Sequence, residues 1–466
     1  MIHATVRRID HDPLGPVELD ADCLHGPQAE RARSNFDLSR TRVSDLPELI
    51  VALAEVKKAA ALTHRETGGL SPEVAGAVVG ACDELIGGAH HAAFDLDVCQ
   101  GGAGTSTNMA ANEIIANVAL LRLGLTPGAY DVIHPNDHVN RGQSTNDVYA
   151  TAIRLTAYRQ AQALAAALDR LAEAFAAKGE AFSRVPKLGR TQLQDAVPMT
   201  LGQEFAAFAA VTRDDAARLR QMSAELLTVN LGGTAIGTGL GAEPAYRARV
   251  TARLAEVTGL PVRAADDLIA ATSDTGVFVL YSGMLKRVAA KMSKIASDLR
   301  LLSSGPRGGM GEIHLPKRQP GSSIMPGKVN PVIPEAINCL AFRVFGCDAA
   351  VTFAAEAGQL QLNAFEPVII WSLHEAATLL TRGADALRLH CVDGIVADSA
   401  RCGRNLAQST ALAAELVPHL GYARAAEIAQ YAQESGDLIA SVRLLAPEWS
   451  EFIAQKASAD FALAHP

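Results

Sequence analysis

The segment GSSIMPGKVNPVIPE, at residues 321–335, combines chemically active side chains with no helical or strand period. It carries two adjacent hydroxyls, Ser322 and Ser323, a cation at Lys328 and an amide at Asn330. Hydroxyl and amide groups donate hydrogen bonds to carboxylate oxygens, and a lysine ammonium adds a compact positive charge. Glycine and proline at this density predict an irregular loop. We therefore expect a loop that binds a small carboxylate anion and brings two hydroxyls to it.

Three further segments share this supply of neutral donors. Each is rich in Ser, Thr, Asn and Gln, whereas Lys328 is the strongest candidate for a cation that faces the ligand. Together the four segments predict a pocket for a small anion with more than one carboxylate. The three segments are GGAGTSTNMAANE at Gly101–Glu113, HPNDHVNRGQSTND at His134–Asp147 and GRTQLQDAVPMTLGQEF at Gly189–Phe205.

Two of these segments also have simpler interpretations. GGAGTS is similar to a phosphate-binding loop, but no strand is expected before it and no GK[ST] follows, and GTGLG at Gly237 fails the same test. QSTND is also a suitable set of capping residues for a helix that begins near Tyr149. Because four similar clusters occur in one chain, capping alone is the weaker explanation.

Single residues likewise have alternatives. Lys328 is otherwise a solvated lysine, or a Schiff-base lysine for pyridoxal phosphate. Its glycine-flanked Ser-Ser context argues against the first, and no phosphate cup favours the second. His134 and His138 have a spacing that binds metal on a helix, but Pro135 interrupts it and no further ligand set is evident. We therefore expect no metal site there.

Long amphipathic helices are expected to position these segments. Apolar residues recur at steps of three and four in three segments, of which the one from Leu285 has lysines and arginines between them. No series of alternating β-branched strands occurs, so we expect a mainly α fold with a bundle of long helices. The apolar positions are Leu285, Val288, Met292, Ile295, Leu299 and Leu302; Leu164, Leu168, Leu171 and Phe175; and Leu219, Met222, Leu226 and Val229.

Composition and charge narrow the class of protein. The chain has 466 residues, 49% of them hydrophobic, which is enough for a large core. A net charge of −8 with scattered lysines and arginines predicts no nucleic-acid partner. Seven cysteines without a CxxC pair predict reduced thiols and a cytoplasmic location. The N-terminus lacks a signal-peptide core and no run of about 18 uncharged apolar residues occurs, so we expect no membrane span.

The loop GSSIMPGKVNP resembles the signature loop of the aspartase/fumarase superfamily, whose members eliminate ammonia, water or an amine to give fumarate. The resemblance runs from about Asn35 to about Asp437 and places the other segments in the family's order. GRTQLQDAVPMTLGQEF, LLSSGPRGGMGEIHLP, AEAGQLQLNAFEP and NPVIPE are most similar to the aspartate ammonia-lyases. Class II fumarases typically have histidine where this chain has Gln192, although some aspartases share that histidine. HPNDHVN, in contrast, resembles the accessory dicarboxylate site of fumarases at His134.

The resemblance implies a mainly α, three-domain aspartase/fumarase-like fold with a central bundle of long helices. The implied domains are an N-terminal mainly helical domain at 1–142, the bundle at 143–396 and a small C-terminal helical domain at 397–466. The implied reaction is reversible elimination of ammonia from L-aspartate to give fumarate. Class II fumarate hydratase, or a lyase of an N-substituted aspartate, is the alternative. The resemblance implies no organic cofactor and a homotetramer in which three subunits build each site.

The resemblance also assigns roles to individual residues. Ser322 is the expected base, activated by loop N–H groups and by Lys328 when the loop closes over the substrate. Donors to the β-carboxylate matter most, because this group gains charge as the proton on the neighbouring carbon is removed. The expected substrate contacts are Ser144 and Thr145, with Ser323 as a further donor, for the β-carboxylate; Thr191, Lys328 and Asn330 for the α-carboxylate; and Thr105, Asn146 and Gln192 near the amino group.

Overall fold

The computed structural model describes residues 6–457, and helices dominate it. The mainly α prediction is therefore confirmed. Four helices have 25 residues or more, and the longest has 37. The helices are α1 (Pro27–Asn35), α2 (Pro47–Thr67), α3 (Pro72–Ile86), α4 (Thr105–Arg122), α5 (Thr145–Ala181), α6 (Leu201–Ser223), α7 (Pro244–Arg247), α8 (Val250–Thr258), α9 (Leu268–Ser273), α10 (Gly276–Leu302), α11 (Val332–Glu356), α12 (Glu366–His390), α13 (Ser399–Gln408), α14 (Val417–Leu420), α15 (Tyr422–Ser435), α16 (Leu438–Leu445) and α17 (Ser450–Lys456).

Short strands pair into four separate two-stranded sheets within the described residues. The strands are β1 (Arg7–Asp12), β2 (Gly15–Asp20), β3 (Pro186–Thr191), β4 (Gln194–Thr200), β5 (Thr228–Val229), β6 (Arg263–Ala264), β7 (Ile313–His314) and β8 (Val396–Ala397). β1–β2, β3–β4 and β7–β8 are antiparallel, and β5–β6 is parallel. The β3–β4 hairpin is important for the site, because its two-residue turn follows Thr191.

One compact unit combines the described part of Met1–Ala163 with Leu219–Lys286 and Val344–Thr378. Within it, α3 packs against both α2 and α4, and all three helices bury alanine and branched aliphatic side chains. The first turn of α1 donates three backbone hydrogen bonds to the buried carboxylate of Glu113 on α4. These N–H groups have no partner inside α1, so the carboxylate satisfies them and attaches α1 to α4.

The second compact unit combines Leu164–Arg218, Arg287–Arg343 and the described part of Leu379–Pro466. Its C-terminal helices share an apolar core of their own. Because the four longest helices each contribute residues to both units, neither unit is one continuous stretch of chain. The C-terminal core comprises Leu412, Ala413, Leu416, Ala425, Ile428, Ala432, Leu438, Val442, Ala446 and Ile453.

The apolar periods of the sequence predict the buried faces of the long helices. Leu164 and Phe175 of α5 are fully buried, and Leu285, Met292 and Leu299 of α10 are at most 3% exposed. These positions pack inside the chain, as a 3.6-residue period on one helix face requires. The apolar surface left for a partner must therefore consist of other residues.

The predicted helix through Leu219 is wrong at its C-terminal end. The apolar period predicts helix as far as Val229, whereas α6 ends at Ser223 and a 3₁₀ turn follows at Ala224–Leu227. The Ser223 hydroxyl donates to the Arg220 carbonyl, and β-branched Val229 pairs with β6. β-branched residues such as Val229 fit an extended strand. The apolar residues Leu226 and Val229 therefore stay buried although the helix has ended.

The division at 1–142, 143–396 and 397–466 stays a prediction, and its residues 1–5 and 458–466 lie outside the described residues. α11 is the one helix in residues 6–457 with the length and composition to cross a membrane. It nevertheless contains Asp348, which pairs with Lys286 and accepts a hydrogen bond from Ser282. Such polar contacts are typical of a helix that packs in a bundle.

Candidate active site

Three of the predicted substrate contacts lie at the start of α5. The Ser144 N–H donates to Asp147 Oδ1 (2.9 Å), and the Asn146 N–H donates to Ser144 Oγ (3.3 Å). These bonds satisfy N–H groups that the first helical turn leaves without partners, so the capping interpretation is correct. The helix begins at Thr145 rather than near Tyr149. Since Ser144 Oγ only accepts in this geometry, its own proton remains available to a ligand.

Asp147 attaches the start of α5 to a second segment, residues 230–235. Its Oδ2 accepts hydrogen bonds from the N–H groups of Gly232 (2.9 Å) and Thr234 (3.1 Å). Two further hydrogen bonds join Asn146 to the same segment. Asn146 Nδ2 donates to the Ala235 carbonyl (2.7 Å), and Asn230 Nδ2 donates to the backbone carbonyl of Asn146 (3.0 Å). Burial raises the pKa of the Asp147 carboxyl, and the backbone N–H groups that it accepts from oppose this shift.

Sequence analysis included Asp147 among the capping residues of QSTND, but it missed the segment 230–235, NLGGTA, and the contact of Asp147 with it. The available signal is a glycine pair between polar residues, which permits a left-handed backbone. The structure has φ of +90° at Gly232 and +55° at Thr234. This conformation lets the N–H groups of both residues point at one carboxylate oxygen, as in a backbone anion nest.

Thr105 begins α4 after a stretch of left-handed backbone. Gly104 has φ of +83°, and a Cβ there would lie 2.6 Å from the Tyr149 ring, so only glycine fits. Thr105 is exposed, and its hydroxyl donates to a carbonyl of the preceding turn at 2.6 Å. One helical turn later, buried Asn108 donates to Thr145 Oγ1 (3.1 Å). α4 therefore connects Thr105 with the donors at the start of α5.

In the second unit, the hydroxyl of Ser322 is held by its own loop. Ser322 Oγ accepts hydrogen bonds from the N–H groups of Ile324 (3.2 Å) and Met325 (2.9 Å). Two N–H donors aimed at one oxygen stabilise negative charge on that oxygen. The predicted base therefore has the local geometry that an ionised serine needs.

The Ser322 loop is closed at its base by backbone and amide contacts. The Gly321 N–H donates to the Lys328 carbonyl (2.9 Å), and Asn330 Nδ2 donates to the Gly321 carbonyl (2.9 Å). A Cβ on Gly321 would lie 2.4 Å from the Lys328 carbonyl oxygen, and Gly327 has φ of +85°. Ser323 and Lys328 are exposed, whereas Asn330 uses one of its two amide protons inside the loop.

Thr191 and Gln192 lie at the tip of the β3–β4 hairpin. Thr191 pairs with Gln194, and the two residues between them, Gln192 and Leu193, have φ of +54° and +61°. A turn with two left-handed residues normally uses Asn and Gly. Gln and Leu are strained there, and such strain is concentrated at functional sites. The side chains of Thr191 and Gln192 are exposed, so a ligand can reach them.

A buried ion cluster anchors this hairpin. Glu312 accepts from Arg190 (2.7 Å) and Asn405 (2.9 Å), and its other oxygen lies 3.2 Å from Lys187 Nζ. Burial by itself raises the pKa of Glu312, but the hydrogen bond from Arg190 and the charge of Lys187 outweigh burial and lower the pKa. The strained hairpin tip is therefore attached to a buried cluster of ion pairs.

The HPNDHVN segment forms a π-helical turn at Pro135–Val139. His134 Nδ1 accepts from the N–H groups of Asn136 and Asp137, each at 3.2 Å, and His138 Nδ1 accepts from the His134 N–H at 2.7 Å. Both Nδ1 atoms are thus engaged with the backbone. Across residues 6–457, no group of three or more His, Cys, Asp or Glu side chains has an arrangement that could hold a metal ion. An accessory dicarboxylate site at His134 stays a prediction.

The predicted site residues fall into two sets, one in each compact unit. Within the first unit, hydrogen bonds join the start of α4, the start of α5 and residues 230–235. Within the second unit, the hairpin tip and the Ser322 loop are separate elements. The first set is Thr105, Ser144, Thr145 and Asn146, and the second is Thr191, Gln192, Ser322, Ser323, Lys328 and Asn330.

The sequence matches the lyase family over residues 15–346. This chain belongs to the aspartase/fumarase superfamily. It is 56% identical over 437 residues to the aspartate ammonia-lyase of Pseudomonas canavaninivorans, which covers 94% of this chain and 92% of that protein. It is 46% identical over 438 residues to the aspartate ammonia-lyase of Escherichia coli K12, with coverage of 94% and 92%.

Solved structures of superfamily members agree with this fold. A fumarate lyase:delta crystallin from Brucella melitensis, described as bound to cobalt, is 50% identical and superimposes with a TM-score of 0.95 over 98% of this chain and 100% of that chain. A class II fumarase from Schistosoma mansoni is 30% identical, with a TM-score of 0.92 and coverage of 99% and 100%. These structural likenesses confirm the predicted fold class, and the similarity to aspartate ammonia-lyases confirms the prediction of a carbon–nitrogen lyase.

Proposed function

We propose that the protein is an aspartate ammonia-lyase, which converts L-aspartate reversibly to fumarate and ammonia. The curated relatives with this activity match almost the whole chain. The observation that carries the proposal is the Ser322 loop, where two N–H groups point at one serine oxygen and Lys328 follows on the same loop. A hydroxyl prepared to carry negative charge is what a serine base requires.

Ser322 acts as the base that removes a proton from the carbon next to the β-carboxylate. That proton is too weakly acidic to be removed unless the carboxylate absorbs the charge. The electron pair of the C–H bond moves into the β-carboxylate, which becomes an aci-carboxylate with extra charge on both oxygens. In the second step this pair forms the carbon–carbon double bond, and the C–N pair leaves with ammonia. Donors that contact the aci-carboxylate therefore stabilise the transition state more than the substrate.

The hydroxyls of Ser144 and Thr145 supply these donors at the start of α5. A helix N-terminus carries partial positive charge, which adds to their effect on an anion. Loss of one such donor raises the barrier by about 2.7–4 kcal/mol in comparable oxyanion sites. Ser323 is a further donor, on the loop that carries the base.

The remaining predicted residues bind the α-carbon side of the substrate. Lys328 and Asn330, with Thr191, face the α-carboxylate. Asn146 has its Nδ2 committed to the Ala235 carbonyl, so its Oδ1 is left to accept from the substrate ammonium. Thr105 and Gln192 lie near the same group in this assignment.

We also propose a cytoplasmic homotetramer in which three subunits contribute to each site. Large apolar side chains on α10 and α11 support this assembly: Leu280, Phe342 and Phe353 are 51%, 63% and 73% exposed in the single chain. Exposed apolar residues along long helices are typical of bundle surfaces that a second copy covers. A second copy of the chain that covers this surface would also explain why α11 is so apolar without spanning a membrane.

Complementation tests the shared site. Ser322→Ala and Thr191→Ala variants, each inactive alone, are unfolded together and refolded in equal amounts. If the two residues come from different subunits, random mixing restores about a quarter of the sites. Mixed tetramers that contain both variants by mass, but show no recovered activity, would place both residues in one chain.

Substrate specificity is tested by following fumarate absorbance with aspartate, malate, argininosuccinate and adenylosuccinate offered separately. We expect fumarate from aspartate only. Formation from malate would instead favour the fumarate hydratase alternative, to which the similarity with the Schistosoma mansoni fumarase points. Ser322→Ala serves as the blank for each substrate.

A further inference from the structure

Lys57 on α2 is fully buried, whereas its neighbour Lys58 is paired with Asp83 and partly exposed. The Lys57 ammonium donates to Asn140 Oδ1 at 2.7 Å. The charged or titratable groups that interact with it are Asp147 and Cys82. A lysine with no exposed surface is rare, because burial of an ammonium costs several kcal/mol unless partners compensate. Its position behind the start of α5 therefore requires an explanation.

Three hydrogen bonds connect Lys57 to a predicted substrate contact. Asn140 Oδ1 accepts from Lys57 and also from Asn108 Nδ2 (3.4 Å). Asn108 Nδ2 in turn donates to Thr145 Oγ1 (3.1 Å). Asn108 is 1% exposed and Thr145 is 9% exposed, so bulk water does not compete strongly with these contacts.

Lys57 determines the direction of every bond in this series. The ammonium form of Lys57 only donates, so while Lys57 is protonated Asn140 must present its oxygen to Lys57 and its Nδ2 to the Gln143 carbonyl (3.3 Å). Asn108 must then present its Nδ2 to that oxygen. Because the same Nδ2 also donates to Thr145 Oγ1, the Thr145 hydroxyl accepts from the protein and keeps its own proton for a ligand.

The orientation of Asn108 is imposed on it by its surroundings. Its Oδ1 is buried and has no hydrogen-bond partner among residues 6–457. An unpaired buried acceptor is unfavourable, and a flipped amide would let this oxygen accept from the Thr145 hydroxyl. Lys57 and Asn140 prevent that flip.

We infer that Lys57 is a positioning residue for the β-carboxylate subsite, which acts through Asn140 and Asn108 to keep the Thr145 hydroxyl directed at the substrate. The inference rests on the proposed function, which places Thr145 on that carboxylate. Without Lys57 the series can reverse, and Thr145 then donates to Asn108 instead of to the aci-carboxylate.

The test compares a substrate-like inhibitor with a mimic of the intermediate. Succinate carries ordinary carboxylates, whereas the ionised form of 3-nitropropionate carries a nitronate with the charge distribution of the aci-carboxylate. At pH 6, below the pKa of Lys57, we expect kcat and 3-nitropropionate affinity to fall by about 10- to 100-fold in Lys57→Met, with KM and succinate affinity within about threefold of wild type. Lys58→Met, with the same change on the same helix, should match wild type.

Two further variants are informative even if Lys57→Met does not fold. Lys57→Gln keeps a polar group of similar reach but no longer forces Asn140 to present its oxygen. Asn108→Asp keeps the shape and makes this position acceptor-only, so Thr145 must donate to it. We expect the same selective loss of 3-nitropropionate affinity in both. An equal loss for both inhibitors, or no loss, in the folded Lys57 variants would overturn the inference.

Thr145→Val separates this inference from the proposed function. Selective loss of 3-nitropropionate affinity in Thr145→Val, together with wild-type selectivity in the Lys57 variants, rejects the role of Lys57 and leaves the function intact. No fumarate from aspartate in the wild type, or unchanged selectivity in Thr145→Val, rejects the assigned role of Thr145 and the inference with it.

Discussion

The start of α5 and the Ser322 loop are both assigned to the substrate in the proposed function, but their hydrogen bonds are arranged in opposite ways. At the start of α5, Thr145 and Asp147 are buried, and their hydrogen bonds reach α4 and residues 230–235. In the Ser322 loop the hydrogen bonds are internal, and most side chains, including Lys328, are exposed. Donors for a developing charge must be held rigidly in advance, whereas a base on a closing loop must be able to move.

The contrast predicts which substitutions lower stability and which lower activity alone. A change in the buried network breaks contacts between elements, so it should lower stability as well as activity. A change in the loop breaks contacts with substrate and little else, so it should lower activity alone. Four measurements test this contrast, beginning with the largest expected effect.

Ser322→Ala should lower kcat by about 10²- to 10⁴-fold, because it removes the proposed proton acceptor. The binding of succinate and the unfolding midpoint should stay close to wild type, since the hydrogen bonds to the Ser322 hydroxyl come from its own loop. Turnover and urea unfolding of the same preparation measure both. Near-normal turnover would exclude Ser322 as the base.

Lys328→Ala should weaken the binding of aspartate and succinate by about 2–4 kcal/mol, as expected when one partner of a desolvated charge pair is removed. Lys328→Arg should also bind weakly, because a planar guanidinium does not replace a compact ammonium. Inhibition constants for succinate provide the measurement. If Lys328→Ala keeps its KM, the closed loop does not bring this lysine to the α-carboxylate.

Asp147→Asn should lower the free energy of unfolding by about 1–3 kcal/mol, because an amide leaves at least one of the three N–H donors to this side chain without an acceptor. The exposed loop residue Ser323 is the matched control, and Ser323→Ala should unfold like wild type. Urea denaturation at fixed protein concentration compares the two. Equal stability of both variants would remove the contrast between the regions.

The smallest expected effect is a pH dependence that belongs to the buried network. Burial lowers the pKa of Lys57 from 10.5 to about 7, so between these values the unfolded chain binds more protons than the folded one. Stability therefore rises with pH in this window, by at most about 1.4 kcal/mol per pH unit, and the gain is lost as pH falls through 7. Wild type minus Lys57→Met, measured by urea unfolding between pH 7 and pH 8, should show this slope, a change of at most about 1.4 kcal/mol. Lys328→Ala should keep the wild-type slope.

Local signals in the sequence predicted much of this molecule. The spacing of Leu285, Met292 and Leu299 predicted a buried helix face because burial on a helix depends on a period of 3.6 residues. The segment around Ser144 and Asn146 was recognised because capping and anion binding use the same residue types. The helix through Val229 failed because apolar spacing reports burial, and burial persists where the chain changes to a strand.

The amino-acid sequence alone predicts the mainly α class, the buried faces of the long helices, the irregular backbone of the Ser322 loop and the membership of a lyase superfamily. Each of these depends on residue types at short spacing along the chain. Only the tertiary structure brought Asp147 to residues 230–235 and Lys57 to Asn140, contacts that span about 85 positions. It also decided the direction of the Asn108 hydrogen bonds. No local pattern encodes such contacts, because they depend on how helices distant in sequence pack side by side.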